Sequence, residues 1–154
     1  KEAQIDTDLE LLFPDSYINH VRERMVCYQN LAEVKDEKAL KTYTEQISDR
    51  FGPLPESSQS LIDSVRLKWV CAALHIEKAV LKKNKLIGYF DANPQSEFYQ
   101  SDGFRDLLIR LQTHPMKGVL KEKKQADRTR LMLVFDQVQS VQKALECLTR
   151  LQQN

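Results

Sequence analysis

The stretch Glu45-Gln46-Ile47-Ser48-Asp49-Arg50-Phe51-Gly52-Pro53-Leu54-Pro55 decides how the chain is organised. Gly52 followed by Pro53 must stop a helix, because glycine accepts the left-handed backbone beyond a last turn and proline cannot extend one. Pro53-Leu54-Pro55 then fixes φ at two of its three positions, which makes a rigid elbow. Upstream, Leu40, Tyr43, Ile47 and Phe51 recur three or four apart and form one apolar helix face, with Asp36 as its N-cap. Downstream, Ser57 or Ser58 can cap a further helix carrying Leu61, Ile62, Val65, Trp69, Ala72 and Ala73. Before Asp36, Asp15 reads as the cap of a helix over about 16–34, with Ile18, Val21, Met25, Tyr28 and Leu31 or Ala32 inward. Three helices therefore follow one another.

The flanks carry a different rhythm. Residues 4–13 alternate loosely and predict a short strand stopped by Pro14. Ile76 to Lys82 and Leu86 to Phe90 read as a hairpin around Lys83-Asn84-Lys85. A helix from Ser101 or Asp102 places Phe104, Leu107, Leu108 and Leu111 on one face, with Pro115 beyond its end. Residues 117–124 and 128–136 form a second strand pair, and the run Leu131-Met132-Leu133-Val134-Phe135 suits a strand buried on both faces. Asp136-Gln137-Val138-Gln139 resembles a capping box ahead of a last helix with Val138, Val141, Leu145, Leu148 and Leu151 as its stripe. The expectation is α+β: an N-terminal group of three helices packed with a small, mostly antiparallel sheet, then a C-terminal helix. The 154 residues are expected to form one domain, a fragment of a larger protein.

Composition narrows the function. Twenty-three basic side chains against 22 acidic ones leave a net charge of +1, which is not the basic excess of a dedicated duplex-DNA binder. No apolar run approaches the roughly 20 residues of a membrane span, so no membrane partner is expected. Cys27, Cys71 and Cys147 are odd in number and far apart, which points to a reducing cytoplasm. The four glycines stand alone, which excludes the phosphate-cradling loops of ATP and dinucleotide sites. His20, His75 and His114 form no metal-ligand spacing with each other or with the cysteines, so neither cofactor nor metal is expected. Cys71 and His75 lie one helical turn apart, but without an orienting third group they read as packing and not as a nucleophile pair. No catalytic residue is assigned.

Two charged patches remain. Lys121, Lys123, Lys124 and Arg128 lie in a locally basic segment, 117–130, that either follows a phosphate backbone or forms the solvated face of a hairpin. Asp49-Arg50, beside the proline elbow, offers an acid and a guanidinium for charge-assisted hydrogen bonds to a partner surface.

In this second patch the sequence resembles the C-terminal domain of bacterial transcription-repair coupling factor. The family's Asp-Arg-Phe-Gly-x-Leu-Pro core is matched at Asp49 to Pro55, and its Pro-x-x-Tyr-Ile lead into the first helix at Pro14 to Ile18. Arg24 and Tyr28 match the family's Arg-Leu-x-x-Tyr, and Leu67-Lys68 with Ala72 and Ile76 match the next helix. The likeness covers about residues 5–90. It implies a regulatory, non-catalytic module of an ATP-driven DNA translocase in transcription-coupled nucleotide-excision repair. It also implies docking onto the parent's own N-terminal UvrB-like module, so that the UvrA-binding surface is masked. UvrA, RNA polymerase and DNA would then be partners through the parent. The family's contact residues fall on Asp49, Arg50 and the position three before the aspartate, where this chain has Gln46 in place of an acid. Neighbouring Glu45 is the candidate substitute.

Overall fold

In the computed structural model, which describes residues 2–152, the chain runs β1 (Gln4–Thr7), α1 (Val21–Ala32), α2 (Glu37–Phe51), α3 (Glu56–Ala73), β2 (Ile76–Lys82) and β3 (Lys85–Phe90). A 3₁₀ turn (Glu97–Gln100) follows, then α4 (Asp102–Gln112), β4 (Val119–Gln125), β5 (Arg128–Asp136) and α5 (Val141–Thr149). Five α-helices and one five-stranded mixed sheet place the fold in the α+β class. Lys1, Gln153 and Asn154, at the ends of the span expected as one domain, lie outside the described residues. Contacts divide the chain into two compact units, one holding Glu10–Arg66 and the other the residues up to Leu9 with those from Leu67 onward. Among the described residues no helix is long and apolar enough to cross a membrane.

The sheet belongs to the second of these units. Its order is β1-β2-β3-β5-β4, with β1 parallel to β2 and the other three pairings antiparallel. Lys83 and Asn84 join β2 to β3 with φ of 52° and 61°, the two left-handed positions that a tight hairpin turn of matching twist requires. One face carries Ala79, Leu81, Leu86, Leu133 and Phe135, all buried. The His114 ring lies 4.8 Å from that of Phe135 and its Nε2 is 2.8 Å from the carbonyl of Cys147 in α5, while Nδ1 accepts the N–H of Met116. The expected double burial of β5 holds at Leu133, Val134 and Phe135, and fades to half-burial at Leu131 and Met132. Each fully buried aliphatic or aromatic side chain of this core contributes about 1.5–3 kcal/mol.

Several expectations need correction. β1 ends at Thr7, not at Pro14, because the Thr7 hydroxyl donates to the carbonyl of Leu81 (2.6 Å) and accepts the N–H of Leu9 (3.1 Å), turning the chain. The first helix starts at Val21, and Asp15 does not cap it. Tyr17 and Ile18 donate to the carbonyl of Pro14, closing a single turn, after which the Arg24 guanidinium takes the carbonyls of Ile18 (2.7 Å) and Asn19 (3.2 Å). Satisfied by a side chain, these carbonyls are not left to a continuous helix. The register of α1 shifts accordingly: Val21 and Met25 are 64% and 53% exposed, and Cys27 and Leu31 are the buried positions.

α3 begins at Glu56, with Pro55 supplying the carbonyl for the N–H groups of Ser58 and Gln59. Ser58 is therefore no cap. It is buried and donates to the carbonyl of Leu12 at 2.9 Å. Ala72 and Ala73 are exposed, whereas Ile62, Leu67, Val70 and Cys71 are buried. Asp136 ends β5 opposite Lys85, and α5 is capped instead by Ser140, whose Oγ accepts the N–H of Lys143 at 3.0 Å. Asp36 does cap α2, through the N–H of Ala39 at 2.8 Å.

Close packing where β4 begins sets up a test. A Cβ on Gly118 would lie 2.5 Å from Cε1 and Cζ of the buried Phe135 ring and 2.9 Å from Cδ1 of Leu111. Gly118→Ala should cost about 1–3 kcal/mol through overpacking, read as a lower urea midpoint at unchanged slope.

Candidate docking site

The helical unit Glu10–Arg66 holds the motif residues Pro14–Ile18, Arg24, Tyr28 and Asp49–Pro55, while Leu67, Lys68, Ala72 and Ile76 belong to the other unit. Glu45 and Gln46 stand one turn before Asp49 and Arg50 on α2, and all four are exposed, while Leu40, Tyr43 and Ile47 on its other side are buried. The helix stops at Gly52, whose N–H reaches the carbonyl of Ser48 at 2.8 Å and whose backbone (φ 95°, ψ −176°) is open in practice to glycine alone. Tyr17 then fixes this end from outside the helix. Its hydroxyl donates to the carbonyl of Gly52 at 2.6 Å, and its ring lies 5.9 Å from Phe51 and 6.4 Å from Phe13. Phe13 in turn gives its N–H to the hydroxyl of Tyr28 at 2.8 Å, with the two rings 5.2 Å apart. Pro14–Ile18, Arg24, Tyr28 and Asp49–Pro55 thus meet as one hydrogen-bonded cluster.

The two charges of the pair differ in state. Asp49 is exposed, and its carboxylate makes no hydrogen bond or ion pair among the described residues. Arg50, 65% exposed at its side chain, is ion-paired with Glu23 of α1, and its guanidinium sits 4.9 Å from the centroid of the Phe51 ring. Glu23 is the neighbour of this candidate pair that local sequence reading missed. It lies 27 residues before Arg50, and the only signal is its place one turn before the buried Cys27.

Beside this pair a groove of about 770 Å³ opens between α1 and α2. Cys27, Tyr43 and Ile47 line its depth, and Glu23, Gln46 and Arg50 are at its mouth. Val26, 48% exposed, lines it too, and Val21 and Met25 continue the apolar surface along α1. The Tyr43 hydroxyl is held to the carbonyl of Cys27 at 2.6 Å, and burial raises its pKa, so it acts as a donor. Burial is also the main reason the Cys27 thiol is pushed up.

The other candidates fall elsewhere. Strand alternation and the pairing of Lys121 with Met132 and Lys123 with Arg130 put Lys121, Lys123 and Arg128 on one side of the sheet. Lys124, paired with Thr129, belongs to the other side, so the basic segment offers three of its four expected contacts together. On the shared side Lys123 and Arg130 approach the ring of Tyr89, at 5.9 and 5.5 Å. Cys71 is fully buried and His75 is exposed, its ring stacked 4.2 Å from that of Phe98. Burial pushes the Cys71 thiol up to about 12, the reverse of what a nucleophile needs. Among the described residues no group of three or more His, Cys, Asp or Glu could hold a metal ion.

The family model described as the TRCF domain matches residues 7–101, which include every motif residue of the cluster. The chain belongs to the TRCF domain family. The transcription-repair-coupling factor of Escherichia coli is 31% identical over 78 residues, covering 51% of this chain and 7% of that protein. Those of Buchnera aphidicola and Rickettsia conorii are 30% and 25% identical over 93 and 109 residues, 60% and 71% of this chain. The matches span only 11% and 9% of those two relatives, so this TRCF domain corresponds to a small part of their length. A crystal structure of the C-terminal domain of transcription-repair coupling factor superposes with a TM-score of 0.73 over 97% of this chain and 90% of that one, at 18% identity. The fold likeness thus extends past residue 101, where the family match ends.

The burial of Cys71 has a measurable consequence. In native buffer Cys71 should label with a thiol reagent only at the rate of unfolding, and should become fully reactive in urea. Fast native labelling, read by peptide mass spectrometry, would contradict the packing described.

Proposed function

We propose that this TRCF domain is a regulatory, non-catalytic docking module of a larger transcription-repair coupling factor. It closes onto the parent's own N-terminal UvrB-like module and masks the surface that UvrA uses. The observation that carries this reading is the exposed, unpaired carboxylate of Asp49 beside the half-engaged guanidinium of Arg50, both on a helix end that Tyr17 and Gly52 hold rigid. A rigid acid–arginine fork loses little conformational entropy on binding. The apolar groove at its flank provides surface to bury against the same partner. Glu45 and Gln46 belong to the contact face on this reading.

A lid must also release. Breaking a desolvated, hydrogen-bonded charge pair at an interface costs about 2–5 kcal/mol, and a motor step that favours the open form by a similar amount overturns the closed state. UvrA, RNA polymerase and DNA are then partners of the parent, and the ATPase activity is the parent's as well. An alternative reading is nucleic-acid contact through Lys121, Lys123 and Arg128. What supports it is the aromatic Tyr89 flanked by Lys123 and Arg130.

Charge reversal at both positions, Asp49→Arg with Arg50→Glu, in the intact parent protein should raise UvrA binding tenfold or more in a pull-down or surface-binding titration. It should also abolish association between this domain and an isolated N-terminal fragment. Unchanged UvrA affinity would remove the masking role.

A further inference from the structure

The outer strand of the sheet has features that the docking module does not use. β4 stands at the end of the order β1-β2-β3-β5-β4, and among the described residues β5 is its only strand neighbour. One row of its backbone N–H and C=O groups therefore faces outward, the arrangement that accepts an added strand. Alongside its start, a groove of about 590 Å³ lies against the end of α4, with Leu108, Leu111 and Leu120 among its lining residues. That volume falls within the roughly 300–1,000 Å³ of ordinary ligand clefts.

The two sides of β4 differ in chemistry. Leu120 points to the groove side, where Glu122 and Lys124 offset each other. On the opposite side Lys121 and Lys123 are exposed, and neither is in an ion pair among the described residues. On that side Glu77 is bound to Arg130 at 2.9 Å and Asp136 to Lys85 at 3.6 Å. Edge lysines keep two copies of such a strand apart, since like charges would meet, but they leave the edge open to a strand of opposite charge.

The geometry points to β4 as a docking edge for an extended acidic segment of another polypeptide, which adds beside it as a further strand. The period of two dictates the pattern recognised. Alternate side chains go into the Leu108–Leu111–Leu120 groove and are apolar, and those between them lie beside Lys121 and Lys123 and are aspartate or glutamate. The pattern is the same whichever protein supplies the segment.

The probe is the peptide acetyl-Glu-Leu-Asp-Val-Glu-Leu-Asp-amide, titrated into the full 154-residue chain and followed by backbone amide NMR. Binding should shift the resonances of β4 and of the α4 residues lining the groove, and slow amide exchange along β4. A peptide of the same composition with its acids and apolar residues in separate blocks should bind at least tenfold more weakly. Lys121→Glu with Lys123→Glu, both exposed and so compatible with folding, should weaken the alternating peptide by tenfold or more while the rest of the spectrum is preserved. The assignment is overturned by absence of binding at about millimolar peptide, by equal affinity for the blocked peptide, or by indifference to the lysine reversals. It is equally overturned if a thymidine oligonucleotide binds Lys121 and Lys123 more tightly than the peptide, with a steep salt dependence, which would give this side to nucleic acid.

Discussion

The hydrogen bond from the Tyr17 hydroxyl to the carbonyl of Gly52 is the constraint on which the helical unit turns. A helix end leaves its last carbonyls without partners, and a Gly-only backbone after it can exit in several directions. Tyr17 removes that freedom. Its ring, placed between Phe13 and Phe51, also fixes where the chain before α1 lies against the end of α2. The N–H of Phe13 is held by Tyr28, and the carbonyl after Tyr17, that of Ile18, by Arg24. Each of these bonds contributes about 1 kcal/mol net, but together they specify one geometry for four segments of sequence. The direction in which Asp49 and Arg50 point follows from that geometry and not from the pair itself.

The same cluster explains what was legible in the sequence and what was not. α2 was readable end to end because its signals are local: Asp36 caps it, the Leu40–Tyr43–Ile47 stripe drives it, and Gly52-Pro53 stops it. The β2–β3 hairpin was readable for the same reason, although its turn is Lys83-Asn84 and not Lys83-Asn84-Lys85, since Lys85 already pairs with Lys82 as the first residue of β3. The start of α1 was not. Asp15 is a good cap by type, but Arg24 takes the carbonyls of Ile18 and Asn19, an interaction that no propensity at position 15 can announce. The five-residue shift turned Val21 and Met25 from expected core into surface. Asp136 failed likewise, because the pairing of β5 with β3 carries to that residue and leaves Ser140 to cap the helix. Of the candidate docking face, Asp49 and Arg50 were visible as a motif, whereas Glu23 and the groove exist only once α1 lies beside α2.

The Arg50–Glu23 pair at first sight competes with docking, since it engages the arginine within its own unit. Its exposure decides otherwise. A salt bridge with the arginine side chain 65% exposed is screened by solvent and contributes about 0–1 kcal/mol. The Phe51 ring, 4.9 Å from the guanidinium, adds about 0.5–1 kcal/mol. On the proposed docking reading, a partner carboxylate would displace Glu23 at small cost, because the pair it replaces is weak.

Gln46 bears on the strength of such an interface in both directions. An acid in that place would gain a Coulomb attraction to a basic partner surface, but would first have to shed its hydration. For buried ion pairs these terms come close to cancelling. A glutamine keeps two donors and an acceptor at the mouth of the groove, one turn from Arg50, and is far cheaper to desolvate than a carboxylate. On the proposed docking reading, glutamine at position 46 in place of an acid would affect the rate of encounter and the choice of partner more than the affinity once docked, because long-range attraction scales with charge while the closed contact depends on the balance of pairing against desolvation. With Glu45 and Asp49 exposed beside Arg50, the candidate docking end keeps both signs of charge within about one turn of helix. A partner must then present the complementary arrangement of charges, and not merely a basic patch.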